Sequence, residues 1–404
     1  MKYDVIIIGG GQAGCMLAVK LRQQKFLGSI LIISDENHLP YQKPPLSKGF
    51  LSADITKNSL YFKSSDYYEK NHIDILLNSN VANIDRLEKS IALKDEKKLY
   101  YNSLAIATGS ELNKLDLNCE NKSIYYLKTI SDAIKIRSLL DQQKKIVIIG
   151  AGYIGLEIAA AASKKNNPVI ILEAGNRVMS RSVCSETSDF FQTVHEKKGV
   201  HFFFNAQINS IDQYDNQKLI RLNKNESINA DAIIIGVGVR PNVGLAYEAG
   251  LDCENGITVN KFCQTSDENI FAIGDCANYH NPIYNQRLRL ESVQNAIEQA
   301  KIAASKINNM ELPEDHIPWF WSDQYNIKLR IAGVPTSYED HIVRGNISDG
   351  KFSVFYQKEG YVIAMESIND TKSFSVGKKI IKNKIYIPSK ALKDKNVDLK
   401  SFID

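Results

Sequence analysis

Asp4-Val-Ile-Ile-Ile-Gly-Gly-Gly-Gln-Ala-Gly14 is closely matched later in the chain by Lys145-Ile-Val-Ile-Ile-Gly-Ala-Gly-Tyr-Ile-Gly155. Each stretch is a short apolar run followed by the pattern G-x-G-x-x-G and a segment with helical composition. A second apolar run then leads to an acidic residue, Asp35 after the first stretch and Glu173 after the second. A lone glycine pattern would be weak, but strand, glycines, helix and acid at this spacing together predict a βαβ unit that binds a dinucleotide. The chain is therefore predicted to contain two such units.

The three glycines of each copy have different roles. The first permits a tight turn, the second lets the backbone approach a pyrophosphate, and the third lets the helix pack closely on the strand. They are Gly9, Gly11 and Gly14 in the first copy, and Gly150, Gly152 and Gly155 in the second. The helix N-termini add N–H groups and a positive dipole end.

The acidic residues after the second strands indicate which nucleotide is bound. Asp35 and Glu173 are placed to accept hydrogen bonds from a ribose diol, and a carboxylate there repels a 2′-phosphate. This favours NADH over NADPH at the second site. Arg177 and Arg181 follow closely enough to weaken that preference.

Composition excludes several classes of protein. The chain has 404 residues, a hydrophobic share of 44% and a formal net charge of +4, which predict a globular protein of two or three domains and give no case for nucleic-acid binding. Six cysteines form no C-x-x-C pair, and the seven histidines make no ligand-spaced cluster with them, so no metal site is predicted. Single cysteines suit a reducing compartment, the cytosol. The longest apolar stretch, 146–162, is too short for a membrane span and contains Glu157.

The order of the segments predicts an α/β fold with two Rossmann-like dinucleotide-binding domains and a small α+β C-terminal domain. The apolar runs 104–109 and 232–238 each end in small residues, where the chain leaves the first domain and returns to it. Short β-like runs such as 351–356 and 361–365 alternate with turns near the C-terminus. The predicted domains are 1–112 with 240–316, the inserted 113–239, and 317–404.

Two dinucleotide sites in one chain suggest FAD in the first and a nicotinamide nucleotide in the second. Asp275 follows the apolar run 270–274 and is placed to bond a polyol such as the ribitol of FAD. The predicted helix 292–307 would direct its N-terminus toward the anionic pyrimidine side of a reduced flavin. A simple turn or cap residue remains the alternative for Asp275.

Four further segments carry a family resemblance. They are Leu39-Pro-Tyr-Gln-Lys-Pro-Pro-Leu-Ser-Lys48, Gly152-Tyr-Ile-Gly-Leu-Glu157, Leu288-Arg-Leu-Glu-Ser-Val-Gln-Asn295 and Pro318-Trp-Phe-Trp-Ser-Asp-Gln324. Over essentially its whole length the chain resembles the FAD-dependent pyridine-nucleotide-disulfide oxidoreductase superfamily, with its glutathione-reductase-like fold. The four segments are similar to those of the ferredoxin reductases that serve bacterial oxygenases.

The chain departs from the superfamily at the segment 39–48. Disulfide reductases of the superfamily carry a C-x4-C pair where this segment has no cysteine. No thiol relay is therefore available, and the flavin is expected to pass electrons directly to an acceptor. Lys43 and Lys128 stand where arginine is common, which keeps the charge and loses the planar bidentate fork.

The resemblance implies FAD and NADH as cofactors and assigns the site residues. Lys48 is implied beside flavin N5, with Glu157 as its ion-pair partner and as a contact to the nicotinamide carboxamide. The residues implied on the FAD side are Gly9, Gly11, Ala13, Gly14, Asp35, Lys43, Lys48, Val81, Ala107, Thr108, Gly109, Gly274, Asp275, Glu291, Ser292, Val293 and Trp321. Those on the NADH side are Gly150, Gly152, Tyr153, Ile154, Gly155, Glu157, Glu173, Arg181 and Gly238.

The C-terminal segment indicates a partner. Between Lys372 and Lys400 there are nine lysines and two aspartates, a local net charge of +7. Such a patch could steer a small acidic 2Fe-2S ferredoxin, although a solubilising tail would have the same composition. We therefore expect an NADH-dependent FAD oxidoreductase that reduces such a ferredoxin, as a monomer or weak homodimer. Reduction of rubredoxin, a quinone or monodehydroascorbate, or a redox-gated interaction role like that of apoptosis-inducing factor, remain open alternatives.

Overall fold

The computed structural model describes residues 1–116, 123–214, 217–223 and 226–403. The chain divides into two compact units. The first contains Met1–Gln42, Leu60–Glu111 and Arg240–Phe320, and the second contains Lys43–Ser59, Leu112–Val239 and Trp321–Asp404. Cys119 lies outside the described residues.

The strands are β1 (Lys2–Ile8), β2 (Ile30–Ile33), β3 (Ile73–Leu76), β4 (Val81–Asp85), β5 (Ser90–Leu93), β6 (Lys98–Ile106), β7 (Ser110–Leu112), β8 (Ile124–Tyr126), β9 (Ile146–Ile149), β10 (Val169–Leu172), β11 (Val200–Phe203), β12 (Ile208–Tyr214), β13 (Gln217–Leu222), β14 (Ser227–Ala230), β15 (Ala232–Ile235), β16 (Val239–Pro241), β17 (Ile257–Val259), β18 (Ile270–Ala272), β19 (Ala277–Asn281), β20 (Gln286–Leu288), β21 (Trp319–Gln324), β22 (Ile327–Gly333), β23 (Asp340–Asn346), β24 (Lys351–Lys358) and β25 (Tyr361–Ile368).

The helices are α1 (Gln12–Gln23), α2 (Ser65–Lys70), α3 (Ile130–Leu140), α4 (Tyr153–Lys164), α5 (Ser185–Glu196), α6 (Gly244–Glu248), α7 (Val293–Ile307), α8 (Thr371–Lys382) and α9 (Ser389–Lys393). Short 3-10 turns join several of these elements; one of them, Pro44–Ser47, contributes to the candidate site.

The main sheet of the first unit has β1 at its centre. The strand order is β3-β2-β1-β6-β5-β4, and β18 also pairs with β6. β1 lies parallel to both β2 and β6, and its last four residues, 5–8, are buried. A strand that is covered on both faces requires an unbroken apolar run, which the sequence supplies.

The second unit repeats this arrangement. Its main sheet has the order β11-β10-β9-β15-β8, with β9 parallel to both β10 and β15. β1 and β9 therefore each lie between the strand that follows them and a strand from later in the chain. In an open α/β sheet such a position places a crevice at the carboxyl end of the central strand.

The remaining strands form further sheets. These have the orders β12-β13-β14, β17-β19-β20, β16-β7 and, near the C-terminus, β21-β22-β25-β24-β23. α8 packs on β22 and β25 of the C-terminal sheet. The predicted α/β fold is confirmed. Among the described residues, no helix combines the length and apolar character needed to cross a bilayer.

The three predicted domain boundaries stay a prediction. In the structure, Lys43–Ser59 and Trp321–Asp404 group with Leu112–Val239 in one unit. For the first of these segments the reason is local packing, since the turn Pro44–Ser47 lies against α3 and α4. Lys164 also pairs with Asp54 at 2.9 Å.

His195 is buried inside the second unit. It belongs to α5 and has no exposed surface. One ring nitrogen, Nε2, lies 2.8 Å from Gln324 Oε1, and the other, Nδ1, lies 3.1 Å from the Tyr325 hydroxyl. Burial lowers the pKa of His195 to about 4, because the charged ring would lose its hydration.

This histidine should make the stability of the second unit depend on pH. Its pKa is lower in the folded than in the unfolded chain, so its stabilising contribution is complete above about pH 6.5 and is lost as the pH falls toward 4. Between pH 7 and pH 5 the free energy of unfolding should fall by about 2 kcal/mol on this account. Urea unfolding monitored by tryptophan fluorescence at the two pH values measures the difference.

Two variants isolate the contribution of His195. His195→Asn should remove about 2 kcal/mol of the pH dependence. His201→Asn, which changes an exposed histidine of β11, should leave it unchanged. An unaltered pH dependence in His195→Asn would contradict the assignment.

Candidate active site

The first glycine-rich turn follows β1 and leaves no room for side chains at two positions. Gly9 has φ +117°, and a Cβ built on it would lie 2.2 Å from the Ala107 carbonyl oxygen. A Cβ on Gly14 would lie 2.1 Å from the Gly9 carbonyl oxygen. In contrast, a Cβ on Gly11 would meet nothing within 4 Å. The backbone is thus tightly packed at Gly9 and Gly14, whereas the space beside Gly11 is empty of protein atoms.

The second turn has the same geometry. Gly150 has φ +103°, and its Cβ would lie 2.4 Å from the Gly236 carbonyl oxygen. A Cβ on Gly155 would lie 2.1 Å from the Gly150 carbonyl oxygen, and the space at Gly152 is open. The two turns therefore use the same contacts at corresponding glycines.

These open spaces fit the pyrophosphate of a dinucleotide. Gly11 and Gly152 are the N-cap residues of α1 and α4, and neither helix has a side-chain hydrogen bond at its cap. The first N–H groups of each helix are consequently available to an anion. A side chain at either glycine would fill the space that the anion needs.

The Glu173 carboxylate is hydrogen-bonded to the backbone of the second turn and of its own loop. Its Oε2 accepts a hydrogen bond from the Ala151 backbone N–H at 2.6 Å, and its Oε1 accepts one from Gly175 N–H at 2.7 Å. Asp35, the matching residue of the first copy, is exposed just after β2. Both carboxylates lie where a ribose diol is expected.

The two arginines after Glu173 have different environments. The Arg177 guanidinium donates to the carbonyl oxygens of Ser180, Val183 and Cys184 at 2.9–3.3 Å. Arg181 is exposed, and its guanidinium lies 3.6 Å from the position of a Cβ on Gly238. Arg177 is thus committed to its own loop, and only Arg181 of the two points toward the predicted nucleotide site.

Further predicted FAD-side residues lie around the carboxyl end of β6. The Thr108 hydroxyl donates to the Asn242 carbonyl oxygen at 2.7 Å, and Asp275 Oδ2 accepts from the Ser110 hydroxyl at 3.2 Å. A Cβ on Gly274 would lie 2.9 Å from Ala13 Cβ, so α1 packs directly on this turn.

Other predicted FAD-side residues cap a helix, form an ion pair or pack in the core. Ser292 caps α7 by accepting a hydrogen bond from Asn295 N–H at 3.1 Å, and Val293 begins that helix. Glu291 pairs with Arg289 at 2.6 Å. Val81 and Ala107 are buried in the core of the first unit, and Gly109 has φ +67°.

Lys48 and Glu157 form an ion pair within the second unit. Lys48 Nζ lies 2.7 Å from Glu157 Oε2, and the Glu157 side chain is 3% exposed. Glu157 Oε1 accepts a hydrogen bond from the Ser322 hydroxyl at 2.5 Å, and Oε2 accepts one from the Ser47 hydroxyl. The 3-10 turn Pro44–Ser47, α4 and β21 meet at this carboxylate. Because it is shielded from water, its interaction with Lys48 is stronger than that of a surface pair.

Other predicted site residues lie on the segments that supply this pair and its hydrogen bonds. Trp321 precedes Ser322 on β21, and Lys43 Nζ donates to the Lys128 carbonyl oxygen at 3.4 Å. Lys43, Lys48 and Trp321 were predicted on the FAD side and belong to the second unit. At the start of α4, Tyr153 is half-buried and Ile154 is 44% exposed, which leaves an apolar surface beside the second turn.

Sequence reasoning missed Ser47 and Ser322. Both hydroxyls hold the Glu157 carboxylate, so three donors, including Lys48, converge on one buried group. Each serine is adjacent in sequence to a predicted site residue. A small hydroxyl at an otherwise apolar, buried position was the available signal, because such a group requires a partner.

The chain matches two sequence families. Residues 3–300 match the family described as pyridine nucleotide-disulphide oxidoreductase, and residues 319–403 match the one described as reductase C-terminal. Rhodocoxin reductase of Rhodococcus erythropolis is 37% identical over 98% of this chain and 93% of its own length. A rubredoxin-NAD(+) reductase of Pseudomonas putida is 37% identical over 90% of this chain and 95% of its own length.

A solved structure has the same fold. The reductase in the covalent putidaredoxin reductase–putidaredoxin complex superposes with a TM-score of 0.96 and 36% identity, covering 99% of this chain and 98% of the other. The two glycine-rich turns, the Lys48–Glu157 ion pair and these matches all indicate the same family. The chain belongs to the pyridine nucleotide-disulphide oxidoreductase family.

Proposed function

We propose that this protein transfers electrons from NADH through FAD to a 2Fe-2S ferredoxin. The observation that carries the proposal is the segment 39–48, which contains no cysteine and supplies Lys48 to an ion pair with Glu157. Together with two dinucleotide turns, this arrangement suits a flavin that passes electrons directly to a partner. The similarity to rhodocoxin reductase and to the putidaredoxin-bound reductase supports the same acceptor class.

Each turn suits one of the two nucleotides. Gly9, Gly11 and Gly14 would hold the FAD pyrophosphate, and Asp35 its ribose. Gly150, Gly152 and Gly155 would hold NADH, and Glu173 would accept hydrogen bonds from the ribose diol. When bound, FAD accepts two electrons as hydride from NADH and can release them singly. One NADH therefore reduces two molecules of a one-electron acceptor.

Lys48 and Glu157 provide fixed electrostatics for this chemistry. Lys48 Nζ is held by Glu157 at 2.7 Å and lies 3.4 Å from the Pro44 carbonyl oxygen. Its ammonium group is therefore already oriented, and it would stabilise negative charge placed near it without reorganisation. Ser47 and Ser322 prevent the carboxylate from rotating away. We assign them as positioning residues.

The C-terminal lysines are proposed as the docking surface for the acceptor. α8 buries Phe374, Ile380 and Ile381 against the C-terminal sheet. Eight of the nine lysines between 372 and 400 are exposed. Their charge suits a small acidic protein, whose association they would accelerate at low ionic strength.

Rubredoxin is the second candidate acceptor. The rubredoxin-NAD(+) reductase of Pseudomonas putida has the same identity to this chain as rhodocoxin reductase, 37%, over 90% of the chain instead of 98%. Both acceptors take single electrons, so the same cofactor arrangement would serve either.

The five described cysteines are free thiols, which supports the expected cytosolic location.

The direct test follows electrons to a defined acceptor. The purified yellow holoenzyme is mixed with NADH, cytochrome c and increasing amounts of a 2Fe-2S ferredoxin from the same genome. Saturable dependence on ferredoxin is expected. If rubredoxin alone supports turnover, the acceptor is reassigned; if neither does while NADH reduces the flavin quickly, the proposed electron-transfer role fails.

Glu173→Ala should raise the KM for NADH about 10-fold or more, because the ribose loses charge-assisted hydrogen bonds worth about 1.5–3 kcal/mol. The bound FAD content should stay unchanged. Glu196→Ala, at an exposed position of α5, serves as the control. Steady-state kinetics and the flavin-to-protein absorbance ratio measure both quantities. Loss of flavin in Glu173→Ala would show that the two nucleotide sites are assigned backwards.

Reversing charge at the exposed Lys379, Lys382 and Lys384 to glutamate should raise the KM for ferredoxin about 10-fold at low salt. The difference should shrink as salt is added, because screening weakens the attraction. The KM for NADH should not change. A control with the same charge change places glutamate at Lys89, Lys94 and Lys97, which are exposed in the first unit. Equal effects in both triple variants would remove the docking role.

Ser322→Ala should slow flavin reduction by NADH several-fold, because Glu157 loses one of its donors and the Lys48 ammonium is less well oriented. The free energy of unfolding should fall by about 1–3 kcal/mol. Stopped-flow absorbance measures the reduction rate. Ser322→Thr, which keeps the hydroxyl, should restore the rate, and Ser348→Ala, at an exposed serine, should change neither quantity. A destabilised Ser322→Ala with normal flavin reduction would leave the serine with a structural role only.

A further inference from the structure

We propose that Cys184, Glu186 and His341 form a zinc-binding site inside the second unit. The site is separate from the glycine-rich turns and from the Lys48–Glu157 pair. It does not depend on which protein accepts the electrons. The sequence predicts no metal site because the histidines have no ligand spacing with the cysteines. Folding is what brings His341 to the other two residues.

The three side chains converge from two elements. Cys184 caps α5, Glu186 lies in the first turn of that helix, and His341 lies on β23. One ligand atom of each residue lies within 4.8 Å of the others. His341 Nε2 is 3.0 Å from both carboxylate oxygens of Glu186. Ligand atoms of a four-coordinate zinc lie about 3.3–3.8 Å apart, so a cluster whose ligand atoms lie within 4.8 Å of one another needs to contract by only ~1 Å.

A second carboxylate lies beneath the cluster. Glu366 on β25 is fully buried, and its Oε2 lies 3.7 Å from Cys184 Sγ. Its Oε1 accepts hydrogen bonds from the Cys184 backbone N–H at 2.9 Å and from the Tyr356 hydroxyl. These two bonds fix the carboxyl group with Oε2 facing the sulfur. Glu366 therefore holds the sulfur in place, and a water molecule would complete the four-coordinate zinc bound by Cys184, Glu186 and His341.

The donor types favour zinc over other common cations. A thiolate and an imidazole are ligands for borderline-soft metals, whereas calcium and magnesium require oxygen ligands only. Anionic ligands are also stabilised near the N-terminus of α5.

The cluster is accessible from one side. Cys184 is 5% exposed, whereas the side chains of His341 and Glu186 are 27% and 34% exposed. A cation can thus enter past His341 and Glu186 and reach the sulfur behind them. Bound zinc would tie the loop before α5 to β23, and so to the C-terminal sheet.

Zinc binding can be measured on the holoenzyme. The protein is stripped with a chelator, titrated with zinc chloride by calorimetry, and analysed for zinc by elemental mass spectrometry after gel filtration. One equivalent per chain is expected. Cobalt chloride provides an independent signal, since cobalt bound to a thiolate in a tetrahedral site absorbs red light, where oxidised flavin does not.

Variants assign the ligands. Cys184→Ala and His341→Gln should each weaken zinc binding by about 100-fold or more, since even loss of a residue that only supports a ligand costs about 10–100-fold. Cys253→Ala and His201→Gln, which change residues outside the cluster that are more exposed than Cys184, should bind zinc as the unchanged protein does.

Glu186→Gln is a third ligand variant that is expected to fold. Glutamine has nearly the same side-chain shape as glutamate and the position is partly exposed, so this variant tests the proposal even if Cys184→Ala fails to fold. It should weaken binding while flavin content and the thermal unfolding midpoint of the zinc-free protein stay within error. Absence of stoichiometric zinc in the unchanged holoenzyme, or equal affinity in the folded ligand variants and the controls, would overturn the proposal.

Discussion

The close approach between a glycine and the carbonyl oxygen of a neighbouring strand is the constraint on which both nucleotide sites depend. Gly9 meets Ala107 in the first unit, and Gly150 meets Gly236 in the second. Because the turn is pressed against the adjacent strand, the helix that follows must begin at the carboxyl edge of the sheet. Its free N–H groups then face the crevice and not the core.

Burial of Glu157 is the second organising feature. A carboxylate removed from water is costly unless it is paired and hydrogen-bonded, and here an ammonium group and two hydroxyls meet that requirement. Each donor comes from a segment that the fold must bring to α4. The ion pair thus depends on the same packing that joins Lys43–Ser59 to the second unit. The residues that form the ion pair therefore also join the segment Lys43–Ser59 to α4.

Local sequence predicted the nucleotide-binding units well because their signals are short-range. The second apolar run of each copy, before Asp35 and before Glu173, forms a strand, β2 or β10, and Ser292 caps the helix that was predicted to start there. Each glycine of the pattern has a local steric reason, so the pattern carries nearly all the information. The pairing of Lys48 with Glu157 came from family resemblance and not from periodicity.

What sequence reasoning missed depends on contacts between distant segments. Ser322 reaches Glu157 from 165 residues away, and His341 meets Glu186 across 155 residues. A hydroxyl or an imidazole has no periodic pattern in the sequence. Its hydrogen-bond partner is determined only when the strand that carries it packs against a helix from a distant part of the chain. The grouping of Lys43–Ser59 with the second unit likewise follows from packing on α3 and α4, which no local pattern records.

The engagement of Arg177 with three carbonyl oxygens has a consequence for proteolysis. Trypsin must draw an arginine side chain into its own specificity pocket, and exposed loops are where such cleavage occurs. Arg177 can enter that pocket only after all three hydrogen bonds break and the loop opens. The side chain of Arg181, four residues later, is exposed and can enter the pocket without breaking those bonds of Arg177 first. Two arginines in one loop therefore differ in protease susceptibility because the loop engages the Arg177 side chain and leaves that of Arg181 exposed.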